Sequence, residues 1–175
     1  MKSKSASSMK NILLQITYAL YVYALIKIIL FKFGSIEPGF LWDQLQHAGD
    51  SLARQLQWGN FTPLVTISDE LRAKSAHSMV NLLGNIALFI PLGVFARLLS
   101  PGRRLSLPGM LLRGLGLSLL LECAQGVFAI GTFDVDDLLL NTLGALLGYG
   151  LCRLLMGGKK PGAERSSEFQ AKTAG

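Results

Sequence analysis

Charge, histidine and cysteine are all scarce in this chain. Of its 175 residues, 16% are Asp, Glu, Lys or Arg, two are His and two are Cys. The cysteines, Cys123 and Cys152, form no CxxC pair, which removes the common zinc and dithiol motifs. They fall toward opposite ends of neighbouring apolar blocks, so no disulfide is expected and a small buried apolar role suits both. There is no Ser-His-Asp array, G-x-S-x-G elbow, HExxH or phosphate-cradling glycine loop. No internal repeat is visible. The formal net charge is +6, but the basic residues sit between apolar blocks instead of forming a dense basic surface. A nucleic-acid partner is therefore not expected.

Apolar residues make up 50% of the chain and are concentrated in long runs. Crossing a bilayer takes roughly 20 mainly apolar residues in a helix. Blocks at about Asn11–Phe33, Asn81–Leu99, Leu105–Ile130 and Leu138–Met156 meet that length. A soluble bundle would carry a broad polar stripe on each helix, and the strongest blocks have none. The first block is too long and continuous for a secretory core and lacks a clean cleavage pattern, so it reads as retained. The pattern predicts an all-α polytopic membrane protein with four transmembrane helices.

The flanking charges predict the topology. Lys2, Lys4 and Lys10 precede the first span, Arg103 and Arg104 separate the second and third, and Arg153, Lys159, Lys160, Arg165 and Lys172 close or follow the fourth. The link between the third and fourth carries Asp134, Asp136 and Asp137 and no Lys or Arg. The positive-inside rule then puts both termini in the cytoplasm, in a multi-pass protein of the cell membrane. The expected organisation is a basic cytoplasmic tail (1–10), a four-helix transmembrane domain (11–156) with an external loop at 34–80, and a disordered cytoplasmic tail (157–175).

Within the external loop, residues 41–56 read as a weak amphipathic surface helix, with Trp42 and Trp58 suited to the interface. NFTPLVTI at 60–67 is apolar, too short to span and broken by Pro63, so a re-entrant segment and a solvent-facing loop both remain open. Ser68, Asp69 and Glu70 mark a helix start, and this helix is expected to run toward the second span. Pro91 and Gly93 suggest a kink inside that span. Gly144 and Gly148, four apart, offer a close-packing face to another helix.

This topology gathers the polar letters at the external end. Asn81 and Asn85 share a face near the start of the second span. Glu122 and Gln125 occupy the last turns of the third, and Asn141 lies four residues beyond Asp137 in the fourth. A carboxylate facing lipid is costly, so Glu122 should face the bundle, a wet cavity or a partner. Gln125, Asn81 and Asn85 are the expected partners, with Arg113 less convenient. The candidate catalytic residues are Glu122, Asp134 and Asp137, and the candidate ligand-binding residues are Asn81, Asn85, Gln125 and Asn141. A divalent cation at Asp134, Asp136 and Asp137 is the one cofactor the oxygen-rich group suggests. The alternative is a structural hydrogen-bond network, with one aspartate capping the fourth helix. His77, alone, reads as a surface residue.

NFTPLVTI at 60–67, NLLGNIALFIPLGVFARLL at 81–99, ECAQ at 122–125 and GTFDVDDLLLNTLGALLGYG at 131–150 occur in an order that resembles the VanZ-like family. The resemblance points to Asn81, Asn85, Pro91, Glu122, Gln125, Asp134, Asp137, Asn141 and Gly144. Many relatives carry an arginine shortly before the acidic stretch, where this chain has Ile130, Gly131 and Thr132. The family's founder is associated with teicoplanin resistance. The resemblance therefore implies a cell-envelope membrane protein that binds or protects a lipid-linked or cell-wall component. Its expected partners are a membrane lipid or lipid-linked envelope precursor, and a second copy of the chain. An intramembrane enzyme modifying such a precursor, or a small transporter subunit, are the competing expectations. Whether the chain is an enzyme is left open by its residues.

Overall fold

Hydrocarbon offers a backbone amide no partner, so each long apolar block closes its hydrogen bonds on itself as a helix. The computed structural model describes residues 2–31, 34, 37–100 and 105–156. These form α1 (Lys2–Phe31), α2 (Pro38–Gln46), α3 (Ala48–Trp58), α4 (Val65–Ala73), α5 (Ala76–Leu98), α6 (Leu107–Val127) and α7 (Val135–Met156). Four segments are long and apolar enough to cross a membrane: Ser8–Phe31, Ala76–Leu98, Leu107–Val127 and Val135–Met156. The protein is all-α and multi-pass. The hairpin residues Arg103 and Arg104 and the expected tail at 157–175 lie outside the described residues.

Local chemistry sets where the spans begin. Ser75 is the N-cap of α5, its Oγ accepting the Ser78 N–H at 3.0 Å. Ser106 does the same for α6, taking the Gly109 N–H at 3.2 Å, with a proline in the first turn. Both satisfy donors that a helix start otherwise leaves orphaned. α5 continues through Pro91 as one helix.

Small residues decide the packing. α5 and α7 form the most intimate pair, and α6 packs on α7. A Cβ at Gly144 or Gly148 would fall onto the carbonyl oxygens of Ile86 and Ile90, and one at Gly93 onto the α7 backbone. The two helices thus approach to backbone contact, as small residues permit in membranes. Phe89, Leu92, Met110, Leu121, Ala145, Tyr149 and Leu25 of α1 make the apolar core. α1 is attached more loosely, through Tyr18 and Tyr21 against Phe95 and a 2.8 Å bond from the Tyr21 hydroxyl to the Leu88 carbonyl.

The region between the first two spans departs from the sequence expectation. Three helices lie there, not one surface helix or re-entrant segment. The expected 41–56 helix is broken at His47, which ends α2 and starts α3. The helix expected to begin near Ser68 and continue toward the second span instead starts at Val65 and stops at Ala73. Leu64 before it and Lys74 after it both adopt left-handed backbone, with φ of 69° and 48°. Lys74 turns the chain, and Ser75 opens α5 afresh.

Candidate functional site

The site lies where α4 and the 59–64 segment meet the α6–α7 connection. The Asn60 N–H donates to the Phe133 carbonyl and the Val135 N–H to the Asn60 carbonyl, both at 2.9 Å, in a single parallel bridge. Gln55 of α3 reinforces this clasp. Its amide Nε2 donates to the Gly131 carbonyl at 3.1 Å, and its Oε1 accepts the Phe133 N–H at 2.7 Å. Phe61 stacks on Phe133 with centroids 5.1 Å apart.

Two of the three aspartates hold backbone. Asp134 precedes α7, and its Oδ1 accepts the Asp136 N–H at 2.8 Å, a cap within the chain's own first turn. The same carboxylate receives Asn60 Nδ2 at 2.9 Å and the Thr66 hydroxyl at 2.7 Å. Asp136 is fully buried. It accepts the N–H groups of Leu64, at 2.6 Å, and Ile67, at 3.1 Å, so a residue of α7 caps the start of α4. This explains why α4 begins at Val65, ahead of Ser68.

The remaining acids are less fully engaged. Asp137 accepts Asn85 Nδ2 through Oδ1 at 2.5 Å. Glu122, 2% exposed, accepts the backbone N–H of Asp134 through Oε2 at 3.1 Å. Glu122 is within electrostatic reach of Asp137 and Asp134, and Asp137 of Asp134, Asp136 and Glu70. Among the described residues the only side-chain ion pair is His47 with Asp43, which are distant in sequence from this corner and exposed. An ionised carboxylate offers about four acceptor positions. Glu122 Oε1 and Asp137 Oδ2 therefore retain capacity for donors from outside the chain.

The other expected site residues divide. Asn141 sits one turn deeper than Asp137; it is buried and donates to Ser118 Oγ at 2.9 Å, while its Oδ1 has no partner. Asn81 is exposed and donates to Glu70 Oε1 at 3.1 Å. Gln125 turns away from Glu122 and bonds the Ile29 carbonyl of α1 at 3.0 Å. Arg113 and His77 are exposed and contribute no contact to Glu122. Among the described residues, no group of three or more His, Cys, Asp and Glu side chains is arranged to hold a metal ion. Gln55, Asn60, Thr66, Glu70 and Ser118 take part and are not among the candidate site residues read from the sequence. Asn60 and Thr66 did lie in the NFTPLVTI stretch, which was the available signal.

A sequence model described as VanZ/LLP1 matches residues 18–156. The chain belongs to the VanZ/LLP1 family. Among curated proteins and solved structures, none matches it. In this VanZ/LLP1 chain the matched region contains all four spans in whole or in large part, and every residue of the acidic corner. Just before the acidic stretch, the Gly131 carbonyl is clasped to Gln55.

Proposed function

We propose that the protein is a cell-envelope membrane protein that binds the polar end of a lipid-linked or cell-wall component at the non-cytoplasmic end of its bundle. Glu122 and Asp137 receive hydrogen-bond donors or a cationic group of that ligand, and Asn85 and the Asp134 backbone hold the two carboxylates in place. The observation that carries this reading is the pair's unused acceptor oxygens, within electrostatic reach of one another and with no Lys or Arg paired to them among the described residues. Such groups persist beside hydrocarbon where they face a cavity or a partner. In the sequence, Lys10 before the first span, Arg103 and Arg104 between the second and third, and Arg153 late in the fourth support cytoplasmic termini and an outward-facing acidic corner.

The same two carboxylates favour a second reading, in which one acts as general acid and the other as base on a lipid-linked precursor. One experiment separates the two. Strains expressing wild type, Glu122→Gln or Asp137→Asn at equal abundance are compared for lipid-linked precursors, wall composition and teicoplanin susceptibility. Unchanged products with lost protection support binding. Loss of one modified product supports catalysis. Variants indistinguishable from wild type in every readout overturn both.

A further inference from the structure

α3 is turned the wrong way round for a helix packed on a water-soluble protein. Its inward side is Ser51, with no exposed surface, and Gln55, bonded to Gly131 and Phe133. Leu52 and Leu56, four apart on one face, are 50% and 78% exposed. Polar residues take the remaining side: Asp50 and Arg54 line an open groove with Asp43, Gln44 and His47 of the α2 end. Leaving a leucine in water forfeits about 1.5–3 kcal/mol relative to burying it. The medium against Leu52 and Leu56 is therefore apolar, while that against Asp50 and Arg54 is aqueous.

The height of α3 in the fold identifies that medium. Gln55 packs directly on Gly126, one residue from the end of the third span, and its amide reaches the link before the fourth. α3 thus lies level with the end of the third span and the link that leads into the fourth. Trp42 of α2 and Trp58 at the end of α3 are 64% and 72% exposed, as befits rings of an interfacial belt. We infer that α2 and α3 form an interfacial platform, seated on the bilayer surface with Leu52 and Leu56 in the acyl boundary and Asp50 and Arg54 toward water. The occupant of this apolar face is lipid. This is independent of what the acidic corner binds.

The chain's two tryptophans both lie in this platform, so native emission reports on it alone. The full-length protein is reconstituted in phosphatidylcholine–phosphatidylglycerol vesicles containing phosphatidylcholine brominated either high on the acyl chain or near its end. Trp42→Phe and Trp58→Phe separate the two signals. High-chain bromine is expected to remove about half of each emission, chain-end bromine much less, and aqueous iodide little, as for groups buried about 5–10 Å deep. Leu52→Glu with Leu56→Glu should reduce the bromine quenching and raise the iodide quenching of Trp58. Emission open to iodide and untouched by either bromolipid overturns the platform. So does shielding from both quenchers with Leu56→Cys crosslinking between copies, which assigns the face to a second chain.

Discussion

Asp136 at the start of α7 accepts the backbone N–H of Leu64 at 2.6 Å, across seventy-two residues of chain. It takes the Ile67 N–H as well, so the fourth span carries the cap of a helix that lies outside the four spans. Removing it leaves the Leu64 and Ile67 N–H groups without this partner. Asp136→Ala is expected to lower stability in detergent by about 2–4 kcal/mol, since bonds to a charged group contribute about 1.5–3 kcal/mol each. Asp136→Asn, which keeps one acceptor oxygen, should lose about half of that. Thermal unfolding followed by size-exclusion recovery measures both, and an unaffected Asp136→Ala would show that the cap is idle.

Leu64 itself sits at φ 69°, where a side chain costs roughly 1–2 kcal/mol. Its side chain is largely exposed, so little packing is lost on truncation. Leu64→Gly should leave stability unchanged or raise it, whereas Leu64→Val, branched at Cβ, should lower it by about 1 kcal/mol or more. The opposite order in the same unfolding measurement would contradict this backbone conformation.

Gly144 and Gly148 let α7 touch the α5 backbone, with the Ile86 and Ile90 carbonyls in the way of any Cβ. Gly144→Ala and Gly148→Ala should each cost about 1–3 kcal/mol, because backbone cannot rotate aside as a side chain does. Gly150, in the same helix, meets nothing within 4 Å. Gly150→Ala should be neutral or stabilising by up to about 1 kcal/mol through helix propensity.

Ser118 and Asn141 join α6 to α7 by one buried bond. Ser118→Ala leaves the Asn141 amide without a partner and should cost about 0.5–2 kcal/mol. Adding Asn141→Leu should recover most of this loss, because both polar members are then gone. A double variant that folds normally yet differs from wild type in the strain comparison proposed above would assign Asn141 a role beyond structure.

Thr132 is exposed in the short link between the third and fourth spans. In a background of Cys123→Ala and Cys152→Ala, Thr132→Cys should react with a membrane-impermeant maleimide added to intact cells. Labelling only after the cells are opened would invert the proposed orientation and bring the acidic corner to the cytoplasm.

The membrane character and the four spans follow from the sequence alone, because hydropathy over some 20 residues is a local property and hydrocarbon permits few other backbone forms. The Gly144–Gly148 spacing already announced a close helix contact, and an aspartate before Val135 already offered a cap, since both depend on neighbours one turn away. The break at His47, the αL residues Leu64 and Lys74 and the early start of α4 were not legible in this way. The early start of α4 follows from Asp136 reaching the Leu64 and Ile67 N–H groups about seventy residues away, as Asn60 and Gln55 reach the α6–α7 connection. Amides behaved similarly: Asn85 faces Asp137 whereas Gln125, equally polar and adjacent to Glu122 in helical register, serves α1. Composition and spacing determined which side chains had to find partners away from lipid; only the packing of α3, α4 and α1 around the α5–α7 core decided which partners they found.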